Sequence, residues 1–274
     1  MRIAYSGIEG SFAHTASLGI FPTGELIPCA NFADAYKATV SGLCHAAVLP
    51  LENSFAGEVG KVTDLIFEGD LFVSAVYRLR VSQNLLGIPG SSADGIKTVI
   101  SHPQALDQCA TYIEEHRITT QGATNTARAA LRVAKTGDPT VGAIASKTTA
   151  RLYDLDILAP DINDDKMNTT RFAVLTRKRK PYLGDSTCIL MFTVRNEAGA
   201  LAKVLGVIGG HGFNMRVIRS RPLKGFRWRY YFYAEVEGNL FSGAGEAMVE
   251  DMKPFCESLK IGGSYDSGEQ IIEE

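Results

Sequence analysis

Strand-like apolar runs alternate with helix-like segments along the first 176 residues, and this alternation restricts the fold more than any other feature. Strands are predicted at residues 2–5, 46–51, 71–79, 97–100, 141–145 and 172–176. Helices are predicted from residue 11 and at residues 32–42, 58–68, 102–116, 126–135 and 147–153. This order indicates an α/β fold with largely parallel sheets.

The pattern changes after a basic segment at 177–186, which carries Pro181 and Gly184 and is predicted to be a linker. The elements predicted beyond it are a strand at 187–195, a helix at 198–209, strands at 213–221 and 227–237, a helix at 244–257 and a short strand at 259–265. That order is βαββαβ, which is typical of a ferredoxin-like unit. The polar residues from Gly262 onward are expected to be ordered only in part.

The composition argues against several classes of protein. A net charge of −2 gives no electrostatic basis for binding nucleic acid or an anionic membrane, and no apolar run is long enough to cross a bilayer. The five cysteines are scattered without a CxxC pair, which favours reduced thiols in a cytoplasmic protein. The histidines lack metal-ligand spacing and no phosphate-binding loop occurs, so we expect no metal and no cofactor.

Four polar segments lie where predicted strands end or helices begin, which is where ligands bind in parallel α/β sheets. These segments are GIEGSF (7–12), PLENS (50–54), SHPQALDQC (101–109) and NTTRF (168–172). The backbone N–H groups of the first could receive a carboxylate, or its Ser11 could simply cap a helix. In the second, Glu52 and Asn53 fit either a ligand contact or a turn.

The other two segments also allow a functional and a structural interpretation. Ser101 and Gln104 have capping-box spacing, whereas Gln108 would lie near the positive end of the same helix. Arg171 could clamp a carboxylate through its planar guanidinium, or it could form a surface ion pair.

In this order, YSGIEGSF, AVLPLENSFAG, SHPQALDQC and NTTRF resemble the successive signatures of the prephenate dehydratase family. IASKTTARLYDLDIL resembles a further family segment, and NEAGALAKVL, IRSRP and WRYYFYAEVEG resemble an ACT regulatory domain. The resemblance implies a catalytic domain at 1–177, a linker at 178–186, an ACT domain at 187–265 and a polar tail at 266–274. It further implies two lobes like those of periplasmic binding proteins, one with 1–76 and 165–177 and the other with 80–160.

The resemblance also assigns site residues. The residues implied in catalysis are Thr170, Arg171 and Glu52. The residues implied in substrate binding are Asn53, Ser54, Ser101, Gln108, Thr169, Phe172, Gly10 and Ser11. The residues implied in effector binding are Gly199, Ala200, Leu201, Asn214, Ser220, Arg221 and Pro222.

The implied reaction is the decarboxylating dehydration of prephenate to phenylpyruvate, water and carbon dioxide in phenylalanine biosynthesis. Thr170 would assist departure of the hydroxyl, with Glu52 or a relayed water as the proton source, while Arg171 would hold a carboxylate. Arogenate dehydration and a non-catalytic small-molecule sensor remain alternatives. The implied effector is an aromatic amino acid such as phenylalanine, bound by ACT domains that pair in a homodimer or homotetramer.

The sequence departs from the family pattern at several positions. Gln83 follows the strand that normally carries an acidic residue and a histidine, and this strand has Arg78 and Arg80 instead. Within the ACT-like part, Arg219 stands in place of the usual glutamate and Ala198 in place of a proline. These positions bear on the substrate pocket and on effector binding respectively.

Overall fold

The computed structural model describes residues 1–179, 186–266 and 268–272. Its strands are β1 (Arg2–Ser6), β2 (Glu25–Cys29), β3 (Ala46–Asn53), β4 (Gly57–Glu58), β5 (Phe72–Arg80), β6 (Asn84–Gly87), β7 (Thr98–Ser101), β8 (Thr119–Gly122), β9 (Val141–Ala145), β10 (Asp156–Ala159), β11 (Thr169–Thr176), β12 (Ser186–Thr193), β13 (Asn214–Pro222), β14 (Tyr230–Glu237), β15 (Ser258–Asp266) and β16 (Gln270–Ile272). Its helices are α1 (Phe12–Ile20), α2 (Phe32–Val40), α3 (Gly60–Glu68), α4 (Pro103–Asp107), α5 (Ala110–Glu115), α6 (Thr126–Thr136), α7 (Lys147–Leu152), α8 (Ala200–Gly210) and α9 (Gly243–Met252).

The first lobe is built on neighbouring strands in the order β5-β11-β3-β1-β2. β1 pairs in parallel with β2 and β3, whereas β11 is antiparallel to both β3 and β5. The α/β class is therefore confirmed, but the sheet is mixed rather than largely parallel. It is mixed because β11 comes from a later part of the chain that returns to this lobe.

The second lobe contains a separate sheet with the strand order β10-β6-β9-β7-β8. Its central strands pack against the apolar face of α6, where Ala129, Ala130 and Val133 are fully buried. The chain enters this lobe after β5 and leaves it after β10. Two crossovers of this kind place a cleft between the lobes.

The C-terminal unit follows the predicted βαββαβ order, with its strands arranged β13-β14-β12-β15. β12 is buried on both faces, which explains its nearly continuous apolar sequence. Its Leu190 and Phe192 pack under α8 and α9, while Ile189 and Met191 join the core of the first lobe. The sheet of this unit thus lies against the first lobe rather than facing solvent.

The Gly263–Val73 bridge between β15 and β5 joins the strands of the C-terminal unit to those of the first lobe in one continuous sheet. Gly263 has a φ of +140°, and a Cβ atom there would lie 2.1 Å from the carbonyl oxygen of Val73. Only glycine fits this approach, because any side chain would collide with backbone.

The described residues of the polar tail pack against the first lobe, while the prediction that this tail is ordered only in part stays a prediction. β16 pairs in parallel with β5, and Ile272 packs with the apolar core of the first lobe. Glu269 just before it is buried and forms ion pairs. Of the predicted linker, residues 180–185 lie outside the described residues.

The helix predicted at 102–116 is divided into α4 and α5. The break falls at Cys109, whose backbone has φ −118° and ψ +20° and is therefore not helical. As a result, Gln108 caps the C-terminal end of α4 instead of lying near its positive end.

No helix in the described part of the chain has both the length and the apolar character needed to span a membrane.

Candidate active site

A cavity of about 350 Å³ lies between the two lobes. Its polar lining comes from Ser6, Ser11, Asn53, Gln83, His102, Gln104, Gln108, Thr124, Asn125, Thr126 and Thr170. Among the described residues that line it there is no Asp, Glu, Lys or Arg, and His102 is the single ionisable side chain. The cavity therefore offers neutral hydrogen-bonding groups to a ligand.

Thr170 and Asn53 are joined by a hydrogen bond within this cavity. The Asn53 Nδ2 group donates to Thr170 Oγ1 at 2.9 Å and to Asn168 Oδ1 at 2.7 Å. The Asn53 Oδ1 atom accepts from the backbone N–H groups of Phe55 and Ala56, which fixes the amide orientation. Because Thr170 Oγ1 accepts from Asn53, its own hydroxyl proton is free to be donated to a ligand.

The roles predicted for Arg171 and Glu52 at the substrate are corrected by the structure. Successive side chains on a strand point to opposite faces, so Thr170 and Asn53 face the cavity while Arg171 and Glu52 face the opposite side of the sheet. There, Arg171 Nη1 donates to Glu52 Oε2 at 3.2 Å. Neither residue lines the cavity, so Arg171 does not clamp a carboxylate there and Glu52 is not the proton source.

The Ser101 and Gln108 predictions have different outcomes. Ser101 is fully buried, and its hydroxyl donates to the carbonyl oxygen of Ile144 at 2.6 Å, away from the cavity. The N-cap of α4 is His102, not Ser101. Gln108 does line the cavity, where its Oε1 atom accepts from Gln83 Nε2 at 3.1 Å.

Ser11 and Phe172 also line the cavity, and Ser11 caps α1 by accepting from the backbone N–H of His14. Gly10 lies outside the lining, and its carbonyl oxygen accepts from Thr149 Oγ1 of the second lobe at 2.6 Å. This bond links the lobes at the edge of the cleft.

Ser54, which follows β3, and Thr169, which begins β11, hold these two chain segments together and do not line the cavity. The backbone N–H of Thr169 donates to Ser54 Oγ at 2.9 Å, and Thr169 Oγ1 donates to the carbonyl oxygen of Met167. Neither residue is part of the lining, which corrects their assignment as substrate ligands.

Sequence reasoning named Gln83 only as a departure from the family pattern that bears on the substrate pocket, and it missed Asn125 as a cavity residue. Gln83 is 2% exposed, and its Oε1 atom has no hydrogen-bond partner among the described residues. Gln83 stands within the polar run SQN at 82–84, so the sequence carried no local signal that this side chain is buried. Asn125 caps α6 by accepting from the backbone N–H of Arg128, and an asparagine before a helical pattern is a recognisable cap.

The residues predicted to bind an effector lie at two ends of α8. Gly199 has a φ of +80° and caps α8, followed by Ala200 and Leu201, whereas Asn214 starts β13 beyond the other end of the helix. An 11-residue helix is about 16 Å long, so Gly199 and Asn214 are far apart within one chain.

Ser220, Arg221 and Pro222 end β13. Arg221 is engaged by the first lobe, because its Nε and Nη2 atoms donate to the Asp64 carboxylate of α3, each at 3.1 Å.

Within the described ranges, no cluster of three or more His, Cys, Asp or Glu side chains is arranged to hold a metal ion.

The cavity lies between two α/β lobes and contains a threonine hydroxyl in a fixed position. This arrangement is typical of an enzyme that acts on a small molecule in a cleft. Residues 3–180 match the prephenate dehydratase family. The chain belongs to this family.

Known proteins of related sequence and structure support this membership. Arogenate dehydratase/prephenate dehydratase 1 of Arabidopsis thaliana is 35% identical, over 97% of this chain and 72% of its own length. The structure of prephenate dehydratase from Arthrobacter aurescens in complex with L-Phe is 25% identical, with a TM-score of 0.89 over 97% of this chain and 90% of that one. GqqA, described as a novel type of quorum quenching acylase, is 32% identical, with a TM-score of 0.90 over 98% of both chains.

Proposed function

We propose that this enzyme converts prephenate to phenylpyruvate, carbon dioxide and water in phenylalanine biosynthesis. The observation that carries the proposal is the Thr170 hydroxyl, which is held by Asn53 and free to donate into the cavity between the lobes. Loss of the carboxylate aromatises the ring, so the protein needs no strong nucleophile. Its task is to stabilise the departing hydroxyl, and a hydrogen-bond donor in a closed site does this well.

The substrate carries two carboxylates, yet the described lining contains no cationic side chain. The N-termini of α1 and α6 supply backbone N–H groups beside Ser11 and Asn125, and helix N-termini attract anions. An adjoining cavity of about 770 Å³ shares Ser11 and Asn125 with the cleft and contains Lys61. We assign carboxylate binding to these helix starts, with Lys61 contributing positive charge at the entrance.

The domain organisation forms part of this proposal. Residues 1–177 would be the catalytic domain, residues 178–186 a linker, and residues 187–265 an ACT-type regulatory domain. The βαββαβ order of the C-terminal unit supports this division. The five cysteines are free thiols, which fits an enzyme of the reducing cytoplasm.

Turnover of the purified chain tests the proposed reaction. We expect carbon dioxide and phenylpyruvate from prephenate. A parallel assay with arogenate determines which of the two substrates the enzyme prefers. Absence of carbon dioxide release from both substrates would contradict the proposal.

A second candidate function is that of an acylase, supported by the likeness to GqqA over 98% of both chains and by the uncharged cavity. A neutral acyl-amide needs no counter-charge in its binding site. Incubation with an acylated quorum-sensing signal separates the two candidates, because an acylase releases the free acyl chain without losing carbon dioxide.

For regulation, we propose that phenylalanine binds between the C-terminal units of two chains in a homodimer or homotetramer. The L-Phe complex of the Arthrobacter aurescens enzyme supports an amino-acid effector. Gly199 and Asn214 lie at opposite ends of α8, so a small ligand can contact both only if they come from different chains.

Calorimetry should detect phenylalanine binding to the wild type, and the binding should weaken when the protein is diluted below its dimer dissociation constant. Gly199→Ala should reduce binding, because its φ of +80° disfavours a side chain. Gly243→Ala is the matched control, since Gly243 begins α9 without a positive φ and has open space around its Cβ position. Binding that is independent of protein concentration would contradict a site shared between chains.

A further inference from the structure

Arg171 lies at the centre of a buried ionic cluster behind the cavity. Its Nη1 and Nη2 atoms donate to the two carboxylate oxygens of Glu235 at 3.1 and 3.0 Å. Its Nε and Nη2 atoms donate to Glu269 Oε1 at 3.0 and 2.7 Å, and Nη2 also donates to Tyr265 Oη at 2.7 Å. With the Glu52 contact, one guanidinium therefore serves three carboxylates.

Two further arginines balance this excess of negative charge. Arg78 Nε donates to Glu269 Oε2 at 2.7 Å, and Arg219 forms an ion pair with Glu52. Three arginines thus face three glutamates, two of which have side chains that are only 1–2% exposed. Removal of one partner would leave a buried charge without compensation, so the cluster has to form as a unit.

The cluster controls ionisation as well as position. Burial by itself would raise the pKa of Glu235, but the hydrogen bonds and charge of Arg171 hold it below its usual value. Burial would likewise lower the pKa of the Arg171 guanidinium, and Glu235 outweighs this and raises it. Both groups are therefore charged at neutral pH, and their attraction is strengthened because both side chains are largely buried.

The ionic cluster and the Thr170–Asn53 pair involve the same two strands, β11 and β3. Thr170 pairs with Asn53 on the cavity side, and the next residues along, Arg171 and Glu52, pair on the reverse side. The register of β11 against β3 shifts between Arg171 and Phe172, which is a bulge that interrupts the ladder beside the site. On its other side β11 keeps its register with β5 over residues 169–174, so side-chain contacts supplement the backbone ladder on the side of β3, where the bulge lies.

We propose that Arg171 is a positioning residue, which holds Thr170 in line with Asn53 from the reverse side of the sheet. The C-terminal part of the chain supplies Glu235 and Glu269, two of its three carboxylate partners, and so completes the active site without touching the substrate. This inference rests on the proposed role of Thr170 in the reaction.

The test combines Arg171→Lys with Thr170→Ala. Lysine keeps the charge but cannot bridge several carboxylates, so kcat should fall by about tenfold to a hundredfold with little change in KM, as expected for a misplaced catalytic group. In the Thr170→Ala background, the same replacement should lower kcat no further, because there is no hydroxyl left to position. Equal losses in both backgrounds would overturn the proposal.

Asp64→Asn is the matched control. Asp64 is also buried and also joins the first lobe to the C-terminal unit, through Arg221, but it lies on α3 rather than on β3 or β11. The kcat of Asp64→Asn should stay within about twofold of the wild type, because among the described residues the hydrogen-bond and ion-pair partners of Asp64 include neither Arg171 nor Thr170. A comparable loss of kcat in Asp64→Asn would show that any weakening of this interface impairs turnover, which also overturns the proposal.

Hydrogen exchange supplies a readout that does not depend on turnover. The backbone amides of residues 168–172 should exchange faster in Arg171→Lys than in the wild type. Glu269→Gln should have the same effect, and it replaces Arg171→Lys in this test if the lysine variant does not fold. The same amides should be unchanged in Asp64→Asn. Unchanged exchange in the first two variants refutes the positioning role, whereas an inactive wild type refutes only the proposed reaction.

Discussion

Replacement of Thr170 by valine is expected to lower kcat on prephenate by about 10²–10³, the usual effect of removing one well-placed donor from a closed site. Valine keeps the branched shape and the strand preference of threonine, so β11 and its pairing with β3 should persist. What is lost is the one hydroxyl proton that Asn53 leaves free for the departing oxygen. Steady-state kinetics should therefore show a fall in kcat with KM nearly unchanged.

Thr176→Val is the matched control for this variant. Thr176 ends the same strand, and its hydroxyl donates to the carbonyl oxygen of Lys178, outside the cavity. Its kcat should stay within about twofold of the wild type, as for surface changes remote from a site. A Thr170→Val enzyme that retained more than about a tenth of the wild-type kcat would remove the hydroxyl from the mechanism.

The order of the motifs was enough to predict the family and part of the cavity. Asn53, Gln108 and Thr170 come from three separate segments of the chain, and the structure brings them to one cavity. No local pattern predicts such a meeting, because it depends on β11 returning to the first sheet beside β3. The resemblance supplied this long-range information.

The placement of Arg171 and Glu52 was predictable but was missed. The predicted strand 46–51 stops just before Glu52, and the predicted strand 172–176 begins just after Arg171. In the structure β3 extends to Asn53 and β11 begins at Thr169, so both residues lie within strands. Once they are on strands, alternation places each of them on the face opposite its catalytic neighbour.

Other elements gave too weak a local signal. β8 is fully exposed along Thr119–Gly122 and carries no apolar alternation. β16 has three residues and pairs with β5, about 190 positions earlier in the chain. Short strands of this kind form because an existing edge accepts their backbone hydrogen bonds, and composition alone does not reveal that edge.

Truncation after Asp266 is expected to produce the largest loss of stability, about 3–5 kcal/mol, which is typical of breaking a buried ion pair from one side. The deletion removes Glu269, which leaves Arg78 without its carboxylate partner and the buried Arg171 with two of its three, Glu52 and Glu235. It also removes β16 and the packing of Ile272 against the core of the first lobe. In urea unfolding, this loss should appear as a lower midpoint concentration of urea, while the slope of the free energy of unfolding against urea concentration stays constant.

Point variants separate the two contributions to that loss. Glu269→Gln keeps the shape but removes the charge, so it should account for most of the decrease if the ionic cluster dominates. Ile271→Ala is the control for Ile272→Ala, because Ile271 is 65% exposed and its truncation should cost less than about 0.5 kcal/mol. A truncated chain that lost under about 1 kcal/mol would mean that Arg171 is satisfied without Glu269. In that case the C-terminal segment would be dispensable, and Glu235 and Glu52 alone would have to hold the guanidinium behind Thr170.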